Sequence, residues 1–136
     1  MNENYNESKL VEEQCAAVKR LALRLNKVTI LKKGRFDIMS DGDEVLVNDV
    51  EGSNRRCGGQ GDLISGALGT FAYWTNSSND KVNNNNDLNP NLVAAYCATT
   101  MVKCCNKDAF TKYKRSMLTT DIIQEIPNVF NTLFDA

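Results

Sequence analysis

"RRCGGQGDLISGALGTFAYW", residues 55–74, runs from two basic residues through a glycine-rich turn and one aspartate into an almost uncharged segment. Gly58, Gly59 and Gly61 permit positive φ and close approach of the backbone to a ligand. If a helix opens at Asp62, the first N–H groups of that helix have no intrahelical acceptor. Together with the helix dipole they form a mouth suited to phosphate. Asp62 then has two readings. It is an ordinary first-turn partner of the dipole, or it takes the proton of a substrate hydroxyl as that oxygen attacks a γ-phosphate. Small residues along the following run (Ser65, Gly66, Ala67, Gly69, Ala72) predict a closely packed helix. Gly66 and Gly69 each lower helix propensity by about 1 kcal/mol relative to alanine, which burial has to offset.

Upstream, Leu10, Val11, Gln14, Val18, Leu21, Ala22 and Leu25 recur at helical steps, predicting a helix over residues 8–26 with Ser8 as its cap. "KVTILKK" (27–33) is β-branched at its centre, does not alternate, and is expected to be a strand buried on both faces. "FDIMS", "DGDE" and "VLVND" follow, and Asp41-Gly42 between two apolar pieces predicts a hairpin, with an irregular loop as the alternative. Helix, short turn and buried strand suggest an α/β layer.

Downstream, "NSSNDKVNNNNDLNPN" (76–91) is asparagine-rich and is expected to be a solvated loop. Residues 92–107 predict a mostly apolar helix, and "FTKYKRSMLTTD" a connection. Thr120 or Asp121 would cap a last helix, which Pro127 should kink or reset.

The chain has 136 residues and a net charge of −1, a size for one domain and no basic face for nucleic acid. Lys32, Lys33 and Arg35, like Arg55 and Arg56, are short clusters that read as solvated surface. The polar, acidic start, expected to be disordered over residues 1–7, resembles no export or transit segment. With no apolar run of spanning length, a soluble intracellular protein without a membrane role is expected. Five cysteines without a C-x-x-C pair suggest reduced, structural thiols. The absence of histidine removes Ser-His-Asp and Cys-His catalysis and the common zinc sites, so no metal ligands are assigned.

"SNRRCGGQGDLISGALGTFAYW" resembles the ATP-dependent NAD(P)H-hydrate dehydratases of the ribokinase-like superfamily, whose signature is a G-x-G-D turn opening a helix. "KKGRFDIMSDGDEVLV" looks like the K-G-x-x-D segment and following hairpin of that family, and "LVAAYCATTMVKCCNKDAF" and "RSMLTTDIIQEI" like its closing helices. The likeness runs from about Val18 to Phe134. The family's domain is longer, and its upstream G-P-G-L-G and P-N-x-x-E segments have no counterpart here, so the resemblance is to the C-terminal half.

The resemblance implies a partial ribokinase-like three-layer α/β/α domain over residues 1–136, with a β-hairpin and a cluster of C-terminal helices. It implies dehydration of (S)-NADHX and (S)-NADPHX with ATP as co-substrate and Mg²⁺ alongside. By position, Lys33, Gly34, Arg35, Phe36 and Asp37 match one ATP segment. Gly52, Ser53, Asn54, Arg55, Arg56, Cys57, Gly58, Gly59, Gln60 and Gly61 match the glycine-rich ATP loop. Asp62 matches the catalytic base that also meets the hydrated nicotinamide. Cys57 reads as a packing residue rather than a reactive thiol. A cytoplasmic protein is expected, with a mitochondrial form as the alternative, and a homo-oligomer is compatible with the family. Two further readings stay open: a ribokinase-like kinase of a small alcohol, and a non-catalytic fragment that binds nucleotide.

Overall fold

The structure, a computed structural model, describes residues 3–79 and 88–135. Helix α1 (Glu3–Arg24) is followed by strands β1 (Ile30–Lys32), β2 (Asp37–Ser40) and β3 (Val45–Asn48), then helices α2 (Gln60–Asn79), α3 (Pro90–Tyr113) and α4 (Thr119–Phe134). The strands form an antiparallel sheet in the order β1-β2-β3. α1 takes in residues 3–7, expected to be disordered, and Ser8 lies inside it rather than capping it. It ends two residues before the expected Asn26, because Asn26 and Lys27 turn left-handed at φ of 59° and 63°. The Lys27 N–H then closes back on the Ala22 carbonyl at 2.9 Å, a Schellman-type stop.

The strand buried on both faces is β2, not the 27–33 segment. β1 sits at the sheet edge and is half-buried, and Val28 ahead of it is 54% exposed. β2 has a neighbour on each side and a helix over each face. Met39 packs on Leu92 and Ala95 of α3. Asp37, on the same face, pairs with Lys103 of α3. Ile38 and Ser40 alternate to the opposite face, against which α1 lies.

The expected hairpin is present, with Asp37 opposite Asn48 and Ser40 opposite Val45. Its turn is built by Gly42, at φ 96°, and by Asp41, whose carboxylate accepts the N–H groups of Asp43 and Glu44 at 3.0 and 2.9 Å. The other Asp41 oxygen accepts from the Asn89 amide at 3.1 Å, and the Asn89 carbonyl oxygen caps α3 at the Asn91 N–H. One side chain thus ties the hairpin turn to the start of α3. Burial alone would raise the Asp41 pKa, but the N–H groups of Glu44 and Asp43 and the Asn89 amide outweigh it and hold the carboxyl below its usual range.

α3 lies between α2 and α4 and carries the main core, where Ala98, Met101 and Cys105 meet Phe71, Met117, Ile122 and Val129. Both neighbouring helices differ from expectation at their ends. α2 opens at Gln60, two residues before Asp62, and runs on to Asn79. α3 extends from Pro90 to Tyr113, so the expected 76–91 loop is shortened from both sides, and its residues 80–87 lie outside the described residues. The predicted close packing does not run through Gly66 and Gly69: among the described residues nothing lies within 4 Å of where their Cβ atoms would stand. α2 buries its Leu63, Ile64, Ala67, Leu68 and Phe71 face instead.

α4 is capped from within, by Asp121 accepting the Leu118 N–H at 2.8 Å. Pro127 does not reset it, because Ile122 and Val129 bury residues on either side of the proline. All five cysteines are free thiols. Burial, with Cys104, Asp108 and Glu125 nearby, pushes the Cys105 pKa up to about 12.

Candidate active site at the mouth of the second helix

The glycine turn forms as its residue types require. Gly59 adopts φ 90°, a conformation costly for any residue with a Cβ. Leu63 N–H donates to the Gly59 carbonyl at 3.1 Å, closing the first turn of α2. The N–H groups of Gln60, Gly61 and Asp62 therefore precede every intrahelical acceptor. Asp62 lies in this first turn with an exposed side chain, uncommitted to any described residue.

Lys33 reaches the same place from the sheet side. Its Nζ lies 2.9 Å from where a Cβ on Gly61 would stand, so the ammonium rests over the bare glycine backbone. A cation and a set of N–H groups without intrahelical acceptors thus converge on one helix mouth, next to a carboxylate that no described residue engages. That arrangement can hold a polyanion and leave a base at its edge.

The rest of the 33–37 segment turns elsewhere. Arg35 pairs with Glu7 of α1 at 2.6 Å, and its guanidinium stacks 5.4 Å from the Phe36 ring centroid. Asp37 is buried, with one oxygen accepting the Gly34 N–H at 2.8 Å and the other paired with Lys103 at 3.0 Å. Of the five residues, Lys33 alone is placed against the glycine turn.

The 52–61 loop is tied down at three points. Ser53 N–H donates to Asn106 Oδ1 at 2.6 Å, and Asn106 Nδ2 donates to the Arg55 carbonyl at 3.4 Å. The Cys57 thiol donates to the Met117 carbonyl at 3.1 Å and packs on the helical core, a structural part for this cysteine. Thr119, opening α4, donates its hydroxyl to the Gly58 carbonyl and lines Gly59. Asn54, Arg55 and Arg56 remain exposed, and Gln60 Nε2 reaches the Arg55 carbonyl at 3.5 Å.

Lys103, Asn106 and Thr119 were not singled out from the sequence. A signal existed: Thr99, Lys103 and Asn106 follow helical spacing inside a mostly apolar helix, so three polar side chains share one face. Among the described residues, no group of His, Cys, Asp and Glu gathers to hold a metal ion by itself. No helix among them is long and apolar enough to cross a membrane.

Residues 5–128 match the model of the family described as NAD(P)H-hydrate dehydratase. The chain belongs to that family. ATP-dependent (S)-NAD(P)H-hydrate dehydratase of Danio rerio is 46% identical over 120 residues, covering 88% of this chain and 36% of the relative. The proteins of that name from Mus musculus and Homo sapiens are 45% and 43% identical, over 85% and 91% of this chain and 33% and 35% of their own lengths. The chain therefore spans about a third of the length of the curated relatives it matches. Within this dehydratase family, a mixed α/β piece with an antiparallel sheet and packed helices is the part represented here.

Proposed function

We propose that this chain carries the ATP-binding loop and general base of an ATP-dependent (S)-NAD(P)H-hydrate dehydratase. The observation that carries the reading is the convergence of the Lys33 ammonium and the α2 mouth at Gly61, with Asp62 free beside them. The family membership and the names of the relatives support it.

In this reading residues 33–37 and 52–61 form the ATP site, with Lys33 and the N–H groups of Gln60, Gly61 and Asp62 on the phosphates. Asp62 meets the hydrated nicotinamide ring and takes the proton of its hydroxyl as that oxygen attacks the γ-phosphorus. ADP leaves. The ring C–O bond then breaks with phosphate as leaving group, and a proton is lost from the neighbouring carbon to restore the dihydronicotinamide double bond. Phosphorylation is what makes the elimination feasible, since hydroxide is a poor leaving group. Mg²⁺, accompanying ATP, would neutralise charge on the phosphates, and no group of His, Cys, Asp and Glu among the described residues would hold it by itself. The reading places residues 1–136 in one partial domain, in a cytoplasmic protein that acts on small molecules and is compatible with homo-oligomers.

The test is ATP-dependent recovery of NADH absorbance from (S)-NADHX in the presence of Mg²⁺. Asp62→Asn is expected to lower that rate by about 100- to 10,000-fold, the usual loss for a general base, with ATP affinity largely kept. An equal loss of ATP binding would make Asp62 a structural helix-mouth residue and sink its catalytic assignment. A stable phosphorylated product in place of NADH would mark a small-molecule kinase. A second reading is nucleotide binding without turnover, in which Lys33 and the α2 mouth hold the phosphates and Asp62 takes no proton. Calorimetric ATP binding by a chain that restores no NADH selects it.

A further inference from the structure

Two residues one turn apart on α3 reach both halves of the candidate nucleotide site. Lys103 Nζ pairs with Asp37 at 3.0 Å and donates to the Arg35 and Asn48 carbonyls at 2.9 and 3.3 Å. It therefore holds the 33–37 segment and the end of β3. Asn106, 7% exposed, holds the Ser53 N–H and the Arg55 carbonyl of the glycine-rich loop. Gly52 lies between them: a Cβ there would stand 3.2 Å from Asn106 Oδ1 and 3.6 Å from Lys103 Cγ. The loop thus runs directly over this edge of α3.

We propose that Asn106 is a positioning residue that holds the 52–61 loop in register with the Lys33 segment, so that a nucleotide's phosphates meet both together. The proposal rests on the ATP-site reading above. Asn106 suits the part because its amide offers an acceptor and a donor at once and carries no charge into a buried edge. Nothing else on α3 hydrogen-bonds the loop among the described residues, so losing this side chain frees residues 53–55 from the helix while leaving the apolar core intact.

The experiment follows the loop directly, by trypsin cleavage after the exposed Arg55 and Arg56, read by mass spectrometry. ATP affinity is measured in parallel by calorimetry. Asn106→Ala is expected to speed cleavage at these two sites and to weaken ATP binding, each roughly tenfold, the scale of a lost buried hydrogen bond. Cleavage elsewhere and the thermal midpoint are expected to change far less. Asn106→Asp retains the acceptor for the Ser53 N–H but loses the donor to the Arg55 carbonyl and adds a charge, and is expected to loosen the loop less than Asn106→Ala does. It also serves as the readout if Asn106→Ala fails to fold. Unchanged cleavage at Arg55 and Arg56 in a folded Asn106→Ala chain overturns the proposal, and so does equal loosening in Asn106→Ala and Asn106→Asp. Absence of ATP binding by the parent chain would instead overturn the ATP-site reading, and is told apart because it appears without any substitution.

Discussion

Gly58 and Gly59 stand side by side in the sequence and differ in what the backbone asks of them. Gly58 faces open space, whereas Gly59 sits at φ 90° against Thr119. Gly59→Ala is expected to cost about 1–2 kcal/mol of unfolding free energy, with Gly58→Ala near neutral, as measured by urea denaturation. Equal effects would mean that the turn does not depend on the positive φ. Asp62 and Lys33 differ in the same way. Asp62 was legible from the G-Q-G-D string, because a carboxylate in a first turn follows from local spacing. The place of Lys33 was not, since its ammonium meets Gly61 only after the sheet and α2 have packed.

At the scale of elements, the sequence pattern found the four α-helices among the described residues but misplaced most ends, and it read the short 3-10 turn over Lys114–Ser116 as a connection. The ends depend on side chains that reach across several residues, as Asp121 does to Leu118 N–H and Asn89 to Asn91 N–H. It also misjudged the glycines of α2. Small residues were expected to mark a tight helix contact, but Gly66 and Gly69 face outward. They therefore add backbone entropy to the unfolded chain, and no described residue lies where their side chains would stand. Gly66→Ala and Gly69→Ala are each expected to raise stability by about 0.5–1 kcal/mol, read as a higher denaturation midpoint at unchanged slope. A loss of stability would show that this face has a packing role. The hairpin was the most legible element, because Asp41-Gly42 lies between two apolar runs and the turn needs a residue at positive φ.

For the whole molecule, β2 is the joint. α1 covers one face and α3 the other, and Asp41 at its end links the hairpin turn to the α3 cap through Asn89. The depressed pKa of Asp41 gives that link a pH signature. A carboxyl whose folded pKa lies below its unfolded value contributes stability above about pH 4, lost as pH falls through the folded value. Asp41→Asn is expected to lower stability at pH 7 and to cost less near pH 3, because the contribution of the carboxylate is lost as pH falls through its lowered folded value. Denaturant titrations at the two pH values check this, and an equal penalty at both would rule out the ionised carboxylate as the source.

Outside this joint, Leu10, Leu21, Leu25 and Val28 leave an apolar surface along α1 and toward β1. β1 pairs with β2 alone among the described strands.

The sequence by itself determined the local chemistry: a hairpin at Asp41-Gly42, a phosphate-suited glycine turn, a carboxylate just inside it, and helices where apolar residues repeat. These depend on backbone sterics and short-range spacing, which a chain carries with it before it folds. The tertiary structure decided which strand is central, which face of α2 is buried, and which side chains from α3 and α4 hold the loop. Lys103, Asn106 and Thr119 acquire their parts only by meeting residues more than fifty positions away. Such long-range meetings are set by packing of the whole core, and no local pattern encodes them.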